Sequence, residues 1–184
     1  NTYTPILNVL RDPGAANAGV VLRAFYTYQD GGALTTSTNV TFDLSASAVG
    51  CVQWYEITGN VGTVVTFGTG SGGSSTGFTS TTGSVSTDDV LINMVGIEYG
   101  ASFGMDTDAT NGDYYNADQT RGSGATGVSL SAQYKNITGN GTQSYGIGWG
   151  GSTIDYCRAW VQIDEIPLPA TSFDPFGALG IFGI

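Results

Sequence analysis

Short runs in which apolar and polar residues alternate recur along this chain, and they constrain its fold more than any other feature. Residues 128–135 read Val-Ser-Leu-Ser-Ala-Gln-Tyr-Lys, which predicts a strand with its apolar side chains inward. Ser129, Ser131, Gln133 and Lys135 are then expected to point outward. Gly, Asn, Asp and Ser separate the runs, and no segment carries a sustained amphipathic helical stripe. This pattern predicts an all-β protein, an antiparallel β-sandwich of the jelly-roll or Ig-like kind with about nine strands.

The remaining predicted strands differ in how they are buried. Residues 90–97 are apolar at almost every position, which predicts a central strand that is covered on both faces. In the last strand, Cys157, Ala159, Val161 and Ile163 are predicted to share one face. Residues 68–77 are nearly all Gly, Ser and Thr and predict an exposed, flexible loop. With residues 128–135, the predicted strands are those over residues 20–28, 39–44, 51–58, 63–67, 90–99, 143–149 and 154–163.

The C-terminal residues 166–184 form an apolar segment with one charge, Asp174, and neither helical nor strand periodicity. Apolar surface left in water costs about 25 cal/mol per Å², so this segment needs a cover. Proline cannot donate to a sheet, and Pro167 and Pro169 therefore end the last strand. We predict a sandwich domain over residues 1–166 and an extended arm over residues 167–184, which docks on a neighbouring subunit or folds back on its own domain. The apolar arm residues are Phe173, Phe176, Leu179, Ile181, Phe182 and Ile184.

The charge balance excludes several classes of function. The chain has fifteen acidic and five basic residues, a net charge of −10 and no histidine. Binding to nucleic acid or to anionic lipid needs clustered Lys and Arg, which this chain lacks. Without histidine, neither a Ser–His pair nor a His-ligated zinc site is available. The arm is too short and too interrupted by glycine to insert across a membrane.

Several short motifs follow one another along the chain. They are NTYTP at residues 1–5, VTFD at 40–43, WYEITG at 54–59, DDVLI at 88–92 and DTDATNG at 106–112. Together they resemble β-sandwich domains of tailed-phage virion proteins, mostly minor tail proteins, and related bacterial surface domains. The resemblance covers residues 1–165 and implies a structural protein of the virion.

The start of the chain differs from that family. In the family a strand or two precedes the NTYT-like segment, whereas this chain opens on it at Asn1, without Met. We therefore expect a processed or truncated chain. An edge strand is then either missing or supplied by another subunit. The apolar arm is a candidate for such a donated strand, because strand addition satisfies an open sheet edge.

An acidic segment suggests a metal site. Calcium prefers carboxylate and amide oxygens on a flexible loop. The spacing is not that of an EF-hand, and Asp, Asn and Gly are also the ordinary residues of turns. We favour a plain turn over a calcium site here. The candidate ligands are Asp106, Asp108, Asn111 and Asp113, with Asp118 close behind.

Other residues suggest a ligand or a catalytic pair. Tyr114 and Tyr115 in the acidic segment, and Trp149 among glycines, have the character of loop aromatics that stack on sugars. For Trp149 we favour a core position at a strand end. The only glutamates, Glu56, Glu98 and Glu165, would suit a glycosidase only if two of them faced each other. We favour strand-end roles, or pairing with Arg23 or Arg158.

The two cysteines, Cys51 and Cys157, allow two states. They either form a disulfide or remain buried thiols that pack as small hydrophobic groups. We favour the buried thiols, although an extracellular location would favour the disulfide.

Four functional hypotheses follow. The first is a non-enzymatic structural protein of a tailed bacteriophage, in the tail or as a capsid-surface decoration subunit, that assembles with copies of itself and other virion subunits through the arm. The second is a host-adhesion module that binds a cell-surface glycan. The third is an extracellular filament subunit completed by strand donation, and the fourth is a glycosidase. The first three place the chain on a virion surface or outside the cell, and none needs a cofactor beyond the calcium alternative.

Overall fold

The computed structural model describes residues 4–14, 18–27, 49–53, 57, 61–103, 115–150 and 153–166. Within these residues all regular structure is β-strand and every strand pairing is antiparallel. The nine strands are β1 (Thr4–Arg11), β2 (Val20–Tyr26), β3 (Val61–Ser75), β4 (Gly77–Val85), β5 (Val90–Ile97), β6 (Tyr115–Arg121), β7 (Val128–Asn136), β8 (Gly141–Gly148) and β9 (Ile154–Glu165). The predicted all-β, antiparallel sandwich is confirmed.

The strands form three layers. The middle layer is a five-stranded sheet in the order β3-β9-β5-β7-β6, while β1 pairs with β2 and β4 pairs with β8. Side chains alternate between the two faces of a strand, and the middle sheet packs against β1 and β2 on one face and against β4 and β8 on the other. Its strand β5 pairs with both β7 and β9. The prediction of a central strand covered on both faces is therefore confirmed.

Two hydrophobic clusters hold the layers together. One lies between the middle sheet and the β1–β2 hairpin, and it contains the predicted set Cys157, Ala159, Val161 and Ile163 on one face of β9. The other lies between the middle sheet and the β4–β8 pair, and its largest residues are Trp149, Trp160 and Tyr145. The chain passes from the middle sheet to this second outer layer at Thr76, between β3 and β4.

The predicted loop over residues 68–77 is wrong, because β3 and β4 together occupy almost all of it. The glycines here make room for large side chains of the neighbouring strand β9. A Cβ at Gly68 would lie 2.7 Å from Trp160 Cδ1, and one at Gly72 would lie 2.8 Å from Tyr156 Cε1. The composition of residues 68–77 suggested a flexible loop, whereas the glycines allow β3 to pack closely against β9.

The predicted outward face of β7 is also wrong. Strand β7 lies inside the middle sheet, between β5 and β6, and its polar face is buried rather than exposed. The exposed fractions are 2% for Ser129, 0% for Ser131, 0% for Gln133 and 7% for Lys135. The alternation predicted the position of the strand correctly, but it did not predict that the polar side chains are buried.

Three strands were not predicted from the sequence, namely β1, β4 and β6. Conversely, the described part of the predicted strand over residues 51–58, namely 51–53 and 57, lies outside the strands. The predicted strand over residues 39–44 and the arm over residues 167–184 lie outside the described residues.

Candidate functional site

The outward side of the β1–β2 hairpin carries exposed apolar side chains and is the candidate site. Three cross-strand pairs make up this outer face: Pro5 with Phe25, Asn8 with Arg23, and Leu10 with Val21. Leu10 is 59% exposed, Phe25 48% and Val21 45%. We use "outer face" below for these six residues. Apolar pairs stand at both ends of the outer face and a polar pair stands between them.

The local sequence explains this arrangement. In β2, Val20, Leu22 and Ala24 face the middle sheet, while Val21, Arg23 and Phe25 face outward. A register shift between Pro5 and Leu7 adds a residue to β1, and such bulges change which side chains face outward. Both faces of β2 therefore carry apolar residues, but only one of them is covered by described residues.

The hairpin is held firmly at the end where β1 passes into β2. The Cys157 thiol donates to Val20 O at 3.2 Å, and Glu98 Oε2 accepts a hydrogen bond from the Gly19 N–H at 2.7 Å. Arg11 Nε lies 3.4 Å from Asp155 Oδ1. These contacts attach the hairpin to β5 and β9, so the outer face is presented on a fixed element.

The centre of the outer face carries a single positive charge. Arg23 Nε donates to Asn8 Oδ1 at 3.2 Å, on the solvent side of the hairpin. This hydrogen bond joins the guanidinium to the neighbouring strand and uses one of its five N–H donors. In a chain of net charge −10, a positive centre flanked by apolar residues is suited to an apolar segment with one negative charge.

The sequence carried a signal for this surface that strand prediction did not use. Residues 20–26 read Val-Val-Leu-Arg-Ala-Phe-Tyr, so the alternate positions Val21 and Phe25 are as apolar as Leu22. An apolar residue on both sides of a short strand indicates cover on both sides. The described structure provides that cover on only one side.

The start of the predicted arm is described, although the arm is not. The chain leaves β9 at Glu165, and Ile166 is 52% exposed. A Cβ at Gly62 would lie 3.1 Å from Ile166 Cγ1, so Ile166 lies against the first residues of β3. The predicted arm residues Phe173, Phe176, Leu179, Ile181, Phe182 and Ile184 lie outside the described residues.

Trp149 is a core residue, so its predicted role as an exposed sugar-stacking ring is wrong. It is 5% exposed, and its Nε1 donates to Ser75 O at 3.0 Å. Its ring packs edge-on against Phe103, with ring centroids 6.3 Å apart. The favoured alternative, a core position at a strand end, is confirmed. Tyr115 is the first residue of β6 rather than part of a loop, and Tyr114 lies outside the described residues.

The predicted calcium ligands Asp106, Asp108, Asn111 and Asp113 all lie outside the described residues. The nearby Asp118 falls within strand β6. Among the residues that the structure describes, no group of three or more acidic, Cys or His side chains is arranged to hold a metal ion.

The described glutamates do not form a glycosidase pair. The Glu98 N–H donates to Asp155 O at 3.1 Å, which places Glu98 beside the start of β9. Glu165 ends β9, so it lies roughly 33 Å away at about 3.3 Å of rise per residue. Catalytic carboxylates lie within about 10 Å of each other. Glu56 lies outside the described residues.

Several carboxylates line a cleft of about 580 Å³ at the end of the middle sheet where β9 finishes. Asp89 Oδ2 accepts from the Ser86 N–H at 2.8 Å and from Gln162 Nε2 at 2.9 Å. Gln162 Nε2 also donates to Asp164 Oδ1 at 2.7 Å. Asp88 lies on the same turn with φ 74°, a left-handed conformation. This network fastens the β4–β5 turn to β9, which is a structural role.

Cys51 and Cys157 form no disulfide with each other in the structure. Cys157 is fully buried, while Cys51 is half-buried and its Sγ donates to Val128 O at 3.2 Å. Desolvation by burial raises the pKa of the Cys157 thiol above its ordinary value. A buried thiol with a raised pKa is a poor nucleophile, so Cys157 acts as a packing residue.

Comparison of the chain with models of known protein families, with curated proteins and with solved structures found no match. Among the described residues, no helix is long and apolar enough to cross a membrane. A function for this chain is therefore inferred from its own residues and their geometry.

Proposed function

We propose that this chain is a non-enzymatic structural protein of a tailed-phage virion, in the tail or on the capsid surface, that assembles through its apolar C-terminal arm. The outer face of the β1–β2 hairpin carries this proposal. There Leu10, Val21 and Phe25 are between 45% and 59% exposed on an element fixed to the core. Exposed apolar groups that cluster on one surface mark sites of protein association.

The composition supports an assembly role. Charged residues make up 11% of the chain, against about 25% in an ordinary domain. Such a surface has few charged side chains to desolvate on contact and suits a subunit whose neighbours cover it. The sandwich fold and the motif resemblance favour a virion subunit among assembly proteins.

The arrangement of the carboxylates favours a protein without catalysis. Glu98 accepts a backbone hydrogen bond at one end of the middle sheet, and Glu165 lies at the other end. Asp89 and Asp164 share Gln162 in a structural network. Glu98 and Asp89 each accept a hydrogen bond from another segment of the chain, which is a structural role.

A filament subunit completed by strand donation is a second candidate. Among the described strands, β1 pairs only with β2 and β2 only with β1. An open strand edge accepts an extended segment through main-chain hydrogen bonds. A filament subunit of this kind polymerises alone, whereas a virion subunit of closed symmetry stops at a defined copy number.

The test is the mass of the purified chain in solution, measured by light scattering with and without residues 170–184. We expect the full chain to be a multimer of defined size and the truncated chain to be a folded monomer. All described core residues precede the deletion, so the circular dichroism spectrum should keep its β character. A truncated chain that still assembles contradicts the proposal, and unlimited growth of the full chain favours the filament.

A further inference from the structure

We infer that the outer face of the β1–β2 hairpin is the surface on which the C-terminal arm of a neighbouring copy docks. This inference rests on the proposed function, because it names the partner surface for the same arm. The outer face is defined by three cross-strand pairs: Pro5–Phe25, Asn8–Arg23 and Leu10–Val21.

The first reason is that the outer face needs an apolar partner. Leu10 and Val21 stand directly opposite each other, as do Pro5 and Phe25, so each pair presents a continuous apolar patch. The inward side of the same strands is already packed, with Leu7, Val20 and Leu22 in the core. A partner on the outward side would make the hairpin a covered middle layer.

The second reason is the length and position of the arm. Residues 167–184 follow Ile166, and an extended chain of this length reaches about 60 Å. Along β2 the outer face extends from Val21 to Phe25, only about 13 Å at about 3.3 Å per residue. The arm is therefore long enough to leave one subunit and cross the whole outer face of the next.

The third reason concerns direction. The sequence Pro167-Leu168-Pro169 directly follows the described chain, and closely spaced prolines favour an extended, stiff backbone. We expect a stiff backbone here to resist the sharp reversal that docking on the outer face of its own hairpin would need. This favours a neighbouring copy over the arm's own domain.

The fourth reason is charge. Asp174 is the only charged residue of the arm, and Arg23 is the only charged residue of the outer face. Each charge has apolar residues on both sides in its own segment. Opposite charges set within matching apolar surfaces fix the register of two segments.

The decisive experiment uses full-length variants whose masses are measured by light scattering. Val21→Glu places a negative charge on the outer face, and Phe176→Asp with Phe182→Asp places charges on the arm. Val52→Glu is the matched control, because Val52 and Val21 are both 45% exposed. We expect the outer-face and arm variants to be monomers and the control to assemble as the unmodified chain does.

Mixing then tests whether the arm and the outer face bind each other. The Val21→Glu subunit keeps an intact arm, and the Phe176→Asp/Phe182→Asp subunit keeps an intact outer face. We expect an equimolar mixture of the two to form a one-to-one heterodimer, although neither subunit associates alone. A mixture that stays monomeric overturns the inference, as does loss of assembly in the control.

The outcomes separate this inference from the proposed function. If the arm variant is monomeric while Val21→Glu still assembles, the arm docks elsewhere and only the inference fails. If both variants still assemble, the proposed function fails as well. Normal circular dichroism and an unfolding midpoint for Val21→Glu equal to that of the monomeric arm variant exclude misfolding as the cause of a monomer.

A charge exchange tests the register. Arg23→Glu should weaken association by about fivefold or more, because it removes one solvent-accessible ion pair and sets two like charges against each other. Adding Asp174→Lys to the same chain restores an opposite pair in every contact and should recover the original dissociation constant. A double variant that associates more weakly than Arg23→Glu alone contradicts the placement of Asp174 on Arg23.

Discussion

At the scale of single residues, Asn93 and Gln133 are the side chains whose burial most needs an explanation. They stand opposite each other on β5 and β7, and their exposed fractions are 1% and 0%. Within the described part of the chain, none of their amide nitrogen and oxygen atoms has a hydrogen-bond partner. An unpaired buried polar group costs about 1–3 kcal/mol. These two amides therefore lower the stability of the fold that contains them.

Replacing both amides with apolar side chains of similar size should stabilise the protein. We expect Asn93→Leu with Gln133→Met to raise the free energy of unfolding by about 2 kcal/mol, measured by urea titration. Gln162→Met is the control, because the Gln162 amide donates to both Asp89 and Asp164. That variant should lose about 1 kcal/mol. A destabilised double variant would show that Asn93 and Gln133 are hydrogen-bonded in solution.

The two thiols should differ in reactivity. Cys51 is half-buried and Cys157 is fully buried, with a thiol pKa raised by desolvation. We expect a thiol-specific chromophoric reagent at pH 8 to label one cysteine in the native chain and both in the unfolded chain. Native Cys51→Ser should remain unlabelled, whereas native Cys157→Ser should label once. An unfolded, unreduced chain with no reactive thiol would establish the disulfide instead.

At the scale of secondary-structure elements, the glycines of β3 allow this strand to pack against the large side chains of β9. Gly68 has φ 67°, and a Cβ there would lie 2.7 Å from the buried Trp160 ring. We expect Gly68→Ala to lower the free energy of unfolding by roughly 2–4 kcal/mol, through backbone strain and displacement of the ring.

Gly83 in β4 provides the matched control for this prediction. A Cβ at Gly83 would have no atom within 4 Å, and its φ is not positive. Gly83→Ala should therefore change stability by no more than about 0.5–1 kcal/mol, in the stabilising direction. Equal unfolding midpoints for the two variants would contradict the role assigned to Gly68.

Strands with a strong pattern were predictable from the sequence, and those with a weak pattern were not. Strand β5 is apolar at almost every position, and one face of β9 carries Cys157, Ala159, Val161 and Ile163, so the burial of β5 and of that face of β9 was predicted. Strand β3 was missed beyond residue 67 because glycine and serine resemble a linker when the aromatic side chains packed across them are unknown. The buried polar face of β7 was missed because alternation gives the period of a strand but not the number of layers that cover it.

The candidate surface was only partly predictable for a related reason. The arm is recognisable from composition alone, whereas the outer face depends on the pairing of β1 with β2 and on the bulge after Pro5. Strand β1 was not predicted, so its Leu10 had no assigned partner. For Trp149 the sequence suggested more exposure than the structure shows. Glycines lie on both sides of it in the sequence, but the folded chain buries its side chain.

At the scale of the whole molecule, net charge and apolar surface act in opposite directions on assembly. Every copy carries a net charge of −10, so copies repel one another at low ionic strength. The outer face and the arm contribute apolar contact, which salt does not screen. The one proposed ion pair, Arg23 with Asp174, is worth no more than about 1 kcal/mol, so repulsion between whole subunits should dominate the response to salt.

Salt should therefore strengthen assembly. Between 0.05 M and 0.5 M NaCl the Debye length falls from about 14 Å to about 4 Å, and the dissociation constant should fall by about tenfold. Sedimentation equilibrium of the full chain at the two salt concentrations measures this change. Asp88→Asn with Glu165→Gln removes two of the ten net negative charges from exposed positions, so it should bind more tightly at low salt and show a smaller salt effect. A dissociation constant that rises with salt would mean that ion pairs, rather than apolar contacts, hold the copies together.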